Sequence, residues 1–223
     1  MPENVRMPRL MIAGLHGGYF LDIAEWVLEM FSELPENPKP AKASAYLSLL
    51  QMTTPTTSIR PLLTAEIGNS LPLDSMKCYE LCQEKSYRME ERAFSDGHIS
   101  GYQSRDISRG RWGGAIRGTE INGTTLIGAI SGLSGDHSDE AVILVIFLFC
   151  HWITFDDAKK IAAISQNPFF IPLLNACNGC KITGFKSIAD PTNEPVARPR
   201  KRITSPTTEF HAPVKTTDPD PSA

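Results

Sequence analysis

With 223 residues the chain is long enough for one sizeable core and too short for several domains. A hydrophobic fraction of 41% excludes a wholly disordered chain, and a formal net charge of −3 argues against a general nucleic-acid binder, which carries a basic excess. Any contact with nucleic acid has to be local.

Near the N-terminus basic residues are followed only by Leu10 to Leu15 and then by His16 and two glycines, so no apolar core of signal-peptide length develops. The longest apolar run, 141–150, falls well short of the roughly 20 residues of a spanning helix. Five cysteines in such a chain fit a reducing compartment. The expectation is a cytoplasmic protein with no membrane segment and no structural disulfide.

Phe20, Ile23, Ala24, Val27, Leu28 and Phe31 recur at three-and-four spacing, with Asp22, Glu25, Glu29 and Ser32 opposite, which predicts an amphipathic helix. Prolines between 35 and 40 break it. Residues 41–52 read as a shorter helix, 53–57 as a loop and 59–67 as a strand. Asp74 or Ser75 can cap a helix running toward 92, with Met76, Tyr79, Cys82 and Tyr87 inward and Lys77, Glu84, Lys85 and Glu90 outward. Glycine, serine and aspartate dominate 95–111, a long loop of the sort that often carries function.

Two β-prone runs, 116–121 and 124–130, flank Asn122-Gly123, the preferred pair for a two-residue hairpin turn because both positions tolerate positive φ. After Ser131-Gly-Leu-Ser-Gly135, the acceptors of Asp136, Ser138, Asp139 and Glu140 suit the unsatisfied amides of a helix start, and the apolar run from 141 predicts a helix packed on all sides. Thr154 and Asp157 form a capping pair ahead of a helix over 155–164, which Asn167-Pro168 ends. Residues 1–186 are expected to form a single α/β domain and 187–223 a disordered tail rich in proline and threonine, with few large apolar side chains to offset ordering entropy. Within that tail, Arg198-Pro-Arg-Lys-Arg202 is a basic cluster of the kind read as a nuclear-localisation or polyanion-binding patch, although most such clusters are solvated charge.

Gly113-Gly114, a short strand, Asn122-Gly123, Leu126-Ile-Gly-Ala-Ile130, Ser131-Gly-Leu-Ser-Gly135 and Asp139-Glu140-Ala141 together resemble the closing segment of the GlcG/HbpS-like family. That family includes haem-binding proteins and the C-terminal domain attached to some cobalamin adenosyltransferases. The family-like segment is taken as 75–165, with the quoted motifs within 75–141, and Lys85 stands where the family has a lysine-bearing helix. The N-terminal third does not align. The resemblance implies an α+β fold, a central, mostly antiparallel sheet with helices packed on its faces, together with self-association into a homo-oligomer and a small-molecule pocket lined by the glycine loop and neighbouring helices. Haem, a corrinoid or a small organic acid is the ligand it implies.

Several residues carry candidate chemistry of their own. Gly113 and Gly114 let a backbone approach a ligand closely, and the start of the helix at Asp136, Asp139 and Glu140 could hold an anionic group, unless those carboxylates occupy its amides themselves. Arg111 and Trp112 could grip a carboxylate with a guanidinium fork and a flat ring. His137, flanked by carboxylates, could ligate iron or transfer a proton, and His98 could share a polar pocket wall with Asp96 and Arg105. Cys177-Asn-Gly-Cys180 has a spacing used by zinc knuckles, redox pairs and haem attachment, with Cys78 and Cys82 as conceivable further ligands. Three functions follow: a small-molecule-binding accessory protein, a cofactor-independent proton-transfer or isomerase-like enzyme using His137 or His98, and an adaptor acting through the basic tail. No nucleophile elbow, phosphate loop or zinc-protease helix supports a hydrolase or kinase.

Overall fold

The computed structural model describes residues 11–12, 15–37, 44–53, 58–68, 75–118 and 124–179. A two-residue antiparallel ribbon, β1 (Met11–Ile12) and β2 (Leu15–His16), leads into helix α1 (Gly17–Ser32). Its apolar face is buried as the spacing predicts, with Phe20, Ile23, Ala24, Val27 and Phe31 at most 1% exposed.

The segment expected to form a short helix at 41–52 is instead strand β3 (Ser44–Thr53), paired antiparallel with β4 (Ser58–Gly68) on one side and with β6 (Thr124–Ser131) on the other. Ala, Leu, Gln and Met favour helices in isolation, but tertiary pairing overrides that preference. Ala45, Leu47, Leu49 and Leu50 are all buried, and a strand covered on both faces loses the polar alternation that would announce it. The strand expected at 59–67 is β4, whose register against β3 shifts between Leu49 and Leu50, next to Pro61.

Strand β5 (Ala115–Arg117) pairs antiparallel with β6, giving a four-stranded sheet of order β4-β3-β6-β5. The two predicted runs thus pair antiparallel, with a shorter first strand, while the expected turn at Asn122-Gly123 lies outside the described residues. The expected α+β architecture, helices on an antiparallel sheet, is the one observed. Helix α2 (Ser75–Ser95) covers the sheet face that carries Leu50, Ala115, Ile127 and Ala129 with its Cys82, Met89 and Ala93. Helix α3 (Asp136–Phe149) covers the other face. A Cβ on Gly128 would meet Phe147 and Ile143, and Gly128 points opposite to its neighbours Ile127 and Ala129.

Helix α2 is rotated from its expected setting. Cys82 faces the sheet as predicted, but Met76, Tyr79 and Tyr87 are 69%, 41% and 43% exposed, whereas Lys85 is 2% exposed. A lysine is normally read as outward, and the charge that draws this one inward lies on α3. The remaining helices are α4 (Phe155–Ser165) and α5 (Phe170–Gly179), both packed near α3. Thr154 caps α4 as its spacing predicts: its Oγ1 accepts from the Asp157 amide at 3.2 Å. Thr154→Ala should therefore cost about 1 kcal/mol in a urea melt, with the fold unchanged.

Among the described residues no helix is long and apolar enough to cross a membrane. Contacts along the chain separate residues 1–181 from 182–223, and the second unit, with the basic cluster of the tail, lies outside the described residues.

Candidate functional site

The first turn of α3 collects the residues singled out in the sequence. Gly135 is its N-cap and no side chain caps it, so Asp136 and Asp139 do not spend their carboxylates on the helix amides. Each of the three acids reaches a different segment instead. Asp136 accepts from Arg105 Nε at 2.6 Å and from the Gly113 amide at 3.4 Å. Asp139 accepts from Lys85 Nζ at 2.6 Å and from the Leu133 amide at 3.2 Å. Glu140, fully buried, accepts from Ser100 Oγ at 2.7 Å, from Asn167 Nδ2 at 3.0 Å and from Ser165 Oγ.

Lys85 completes its environment by donating to the Ile130 carbonyl at 2.9 Å, so it fastens α2 to the end of β6 and to α3 on the other face. Burial raises the Asp139 pKa, and the Lys85 cation works against that rise. Burial likewise holds the Glu140 carboxyl above the usual range, opposed by the bonds from Asn167, Ser165 and Ser100. Burial is the strongest single influence on Asp136 as well and acts to raise it, but the Arg105 bond and charge and the Gly113 bond, with its other bonding, together outweigh it and its pKa is lowered.

The two glycines serve this network. A Cβ on Gly113 would overlap the Tyr102 ring, and one on Gly114 would lie 2.6 Å from Asp139 Cβ and 3.2 Å from Lys85 Nζ. Gly114 also sits at φ +90°, where a side chain is strained. The close approach that the sequence suggests is real, and the groups that approach belong to the protein. Gly114→Ala should cost about 2–3 kcal/mol from strain and from displaced neighbours, measured by thermal or urea unfolding.

The 95–111 loop is built rather than open. Ser100 and Gln103 form a capping box for the 3-10 turn Gly101–Ser104, and a second turn, Ile107–Arg109, is closed by paired backbone bonds between Asp106 and Arg111. Arg88, 6% exposed, reaches from α2 to the carbonyls of Gly101 at 3.1 Å and Ser104 at 3.2 Å, to Ser104 Oγ at 2.5 Å and to the Trp112 carbonyl. Glu84 holds the same guanidinium at 2.6 Å. Trp112 thus contributes its backbone here. Arg88, Ser100, Tyr102, Ser165 and Asn167 were not singled out by sequence reasoning; the Ser-Gly-Tyr-Gln capping box at 100–103 was the legible signal for one of them.

His137 Nε2–H donates to the Ser165 carbonyl at 3.0 Å and its ring stacks on Tyr102 at 5.1 Å between centroids, with Arg105 5.4 Å from the Tyr102 centroid. With Nε2 protonated and bonded in this way, the lone pair of the neutral ring is on Nδ1. His98 is half-buried, with its Nδ1 enclosed and unpartnered. Among the described residues no group of three or more His, Cys, Asp or Glu could hold a metal ion. The Cys82 thiol donates to the carbonyls of Tyr46 at 3.3 Å and Ala129 at 3.5 Å, and burial pushes its pKa up to about 12. Cys177 is buried in α5, and Cys180 lies outside the described residues.

Arg111 stands apart from the network. Among the described residues its side chain has no ion-pair partner, and with Glu84, Tyr87, Arg88, Glu91 and Arg92 it lines a shallow cleft of 280 Å³ between α2 and the end of the loop. The structure therefore gathers Lys85, Gly113, Gly114, Asp136, Asp139, Glu140 and His137 around the start of α3 as a closed internal network, and sets Arg111 at the surface. No protein-family model, no curated protein and no solved structure matches the chain.

Proposed function

We propose that the protein is a non-catalytic binder of a small carboxylated molecule, in keeping with its resemblance to the GlcG/HbpS-like family, and that Arg111 makes the defining contact. One observation carries this: the Arg111 guanidinium lines a cleft without an ion-pair partner among the described residues, whereas the neighbouring Arg88 and Arg92 are held by Glu84 and Asp96. A guanidinium fork matches a carboxylate in shape and charge.

Size and chemistry narrow the ligand. A volume of 280 Å³ lies at the foot of the roughly 300–1,000 Å³ range of ligand pockets, which suits an organic acid of a few carbons or one ring better than a macrocycle. No histidine lines this cleft, so it offers no imidazole to a haem iron. Self-association and a cytoplasmic setting belong to the same reading.

Titration with simple monocarboxylates, followed by calorimetry, tests the proposal. Saturable binding should weaken about 10- to 100-fold in Arg111→Ala, the loss expected for a charged hydrogen-bonded contact, and should persist in Arg109→Ala, whose exposed side chain pairs with Asp106. Equal binding by wild type and Arg111→Ala would overturn it.

A further inference from the structure

The charges lining the cleft say more about the ligand, if the reading of Arg111 above is right. Three arginines and two glutamates face it. Arg88 is bonded to Glu84 at 2.6 Å and to main-chain carbonyls, and Arg92 to Asp96 at 2.8 Å. Those pairs are locally neutral. What remains is one guanidinium, Arg111, and one carboxylate, Glu91, which line the same cavity without forming an ion pair with each other. Beside them Tyr87 presents an aromatic ring that is 43% exposed, one helical turn before Glu91 on α2.

We infer that the cleft takes a zwitterion, a free aromatic amino acid, with its carboxylate on Arg111, its ammonium on Glu91 and its ring against Tyr87. A phosphate dianion would meet a single open guanidinium and be repelled by Glu91. A simple carboxylate would leave Glu91 unused. A molecule carrying both charges satisfies both side chains and brings no net charge to a site whose open charges sum to zero. Its ring adds the flat contact that Tyr87 offers.

The test is a ¹⁵N chemical-shift titration of the full chain with L-phenylalanine, 3-phenylpropionate, phenethylamine and inorganic phosphate, in wild type, Glu91→Gln and Arg111→Ala. Phenylalanine should saturate and move the amides of residues 87–92 and 111. Phenylpropionate should bind about tenfold more weakly and phenethylamine at least as much so, as expected for loss of one charged contact. Glu91→Gln should bring phenylalanine down to the level of phenylpropionate and leave phenylpropionate unweakened. Equal affinity for phenylalanine and phenylpropionate, with Glu91→Gln indifferent, would overturn the zwitterion and leave a carboxylate binder standing. Phosphate binding more tightly than phenylalanine would also overturn it. Failure of all the organic probes to saturate, or insensitivity to Arg111→Ala, would remove both readings.

Discussion

Replacing Lys85 with methionine lowers the unfolding free energy by about 3–5 kcal/mol, because it leaves the Asp139 carboxylate in the interior without its cation. Lys85 is 2% and Asp139 4% exposed, so water cannot substitute for the lost partner. Combining Lys85→Met with Asp139→Leu removes both charges and recovers most of the loss, since a buried pair is worth little against apolar groups of similar size. The pH dependence separates this from simple loss of packing. Burial already raises the Asp139 pKa in the folded protein, and without Lys85 the carboxyl rises further. Between the unfolded value near 3.9 and that raised value, the folded state binds a proton that the unfolded state has released. Stability therefore increases as the pH falls through this window, and the penalty of Lys85→Met shrinks from neutral pH toward acid. Urea melts of the single and double variants across that range check both the size and the sign; a penalty independent of pH would refute the unpaired-carboxylate account.

Glu140→Ala has a comparable effect, about 3–5 kcal/mol, for a different reason. One carboxylate here accepts from Ser100, Ser165 and Asn167, which belong to the loop after α2, the end of α4 and the turn before α5. Truncation leaves the buried Ser100 hydroxyl without an acceptor, leaves Ser165 only its longer bond to the Ala162 carbonyl and half-buried Asn167 only its bond to the His137 carbonyl, and empties a fully buried site, where each lost partner costs about 1–3 kcal/mol before relaxation. Glu140→Gln is milder but not silent, because its amide nitrogen cannot accept where the carboxylate oxygens did. Hydrogen exchange should localise the damage: amides of residues 100–104 and 165–170 open ahead of the core in Glu140→Ala. If the variant melts with the wild type, the three segments are not held together through this residue.

How much of this was legible in the sequence depended on where each signal's partner lay. Helix α1, strand β4, the α4 cap and the β5–β6 pairing rest on local spacing and turn chemistry, and they could be read. Strand β3 could not, because its pairing with β4 and β6 on both sides and its burial on both faces are long-range facts. The same holds for Lys85. Nothing in residues 75–92 shows that this lysine turns inward; the reason lies 54 residues later in Asp139. Gly113, Gly114, Asp136, Asp139 and Glu140 were rightly grouped as one locality, but a sequence cannot say whether glycines make room for a ligand or for a neighbour's side chain. Arg111 was singled out in the sequence, and the cleft around it was not, since Tyr87 and Glu91 come from a helix whose rotation was misjudged.

The margins of the sheet have a consequence for how copies of this chain can meet. At one margin β4 carries Pro61, which has no amide hydrogen to offer a neighbouring strand. At the other, β5 has only three residues, and its outer side is occupied by the bridge from Ser100 to Ile116 and the Arg117 amide bonded to the Ile99 carbonyl. The β5 margin thus offers no long row of open backbone groups, the template on which sheets grow from molecule to molecule into aggregates, and Pro61 interrupts the row that the longer β4 presents. The loop that Glu140 and Arg88 anchor thus has a second use: while it stays in place, it keeps the end of the sheet from recruiting another chain.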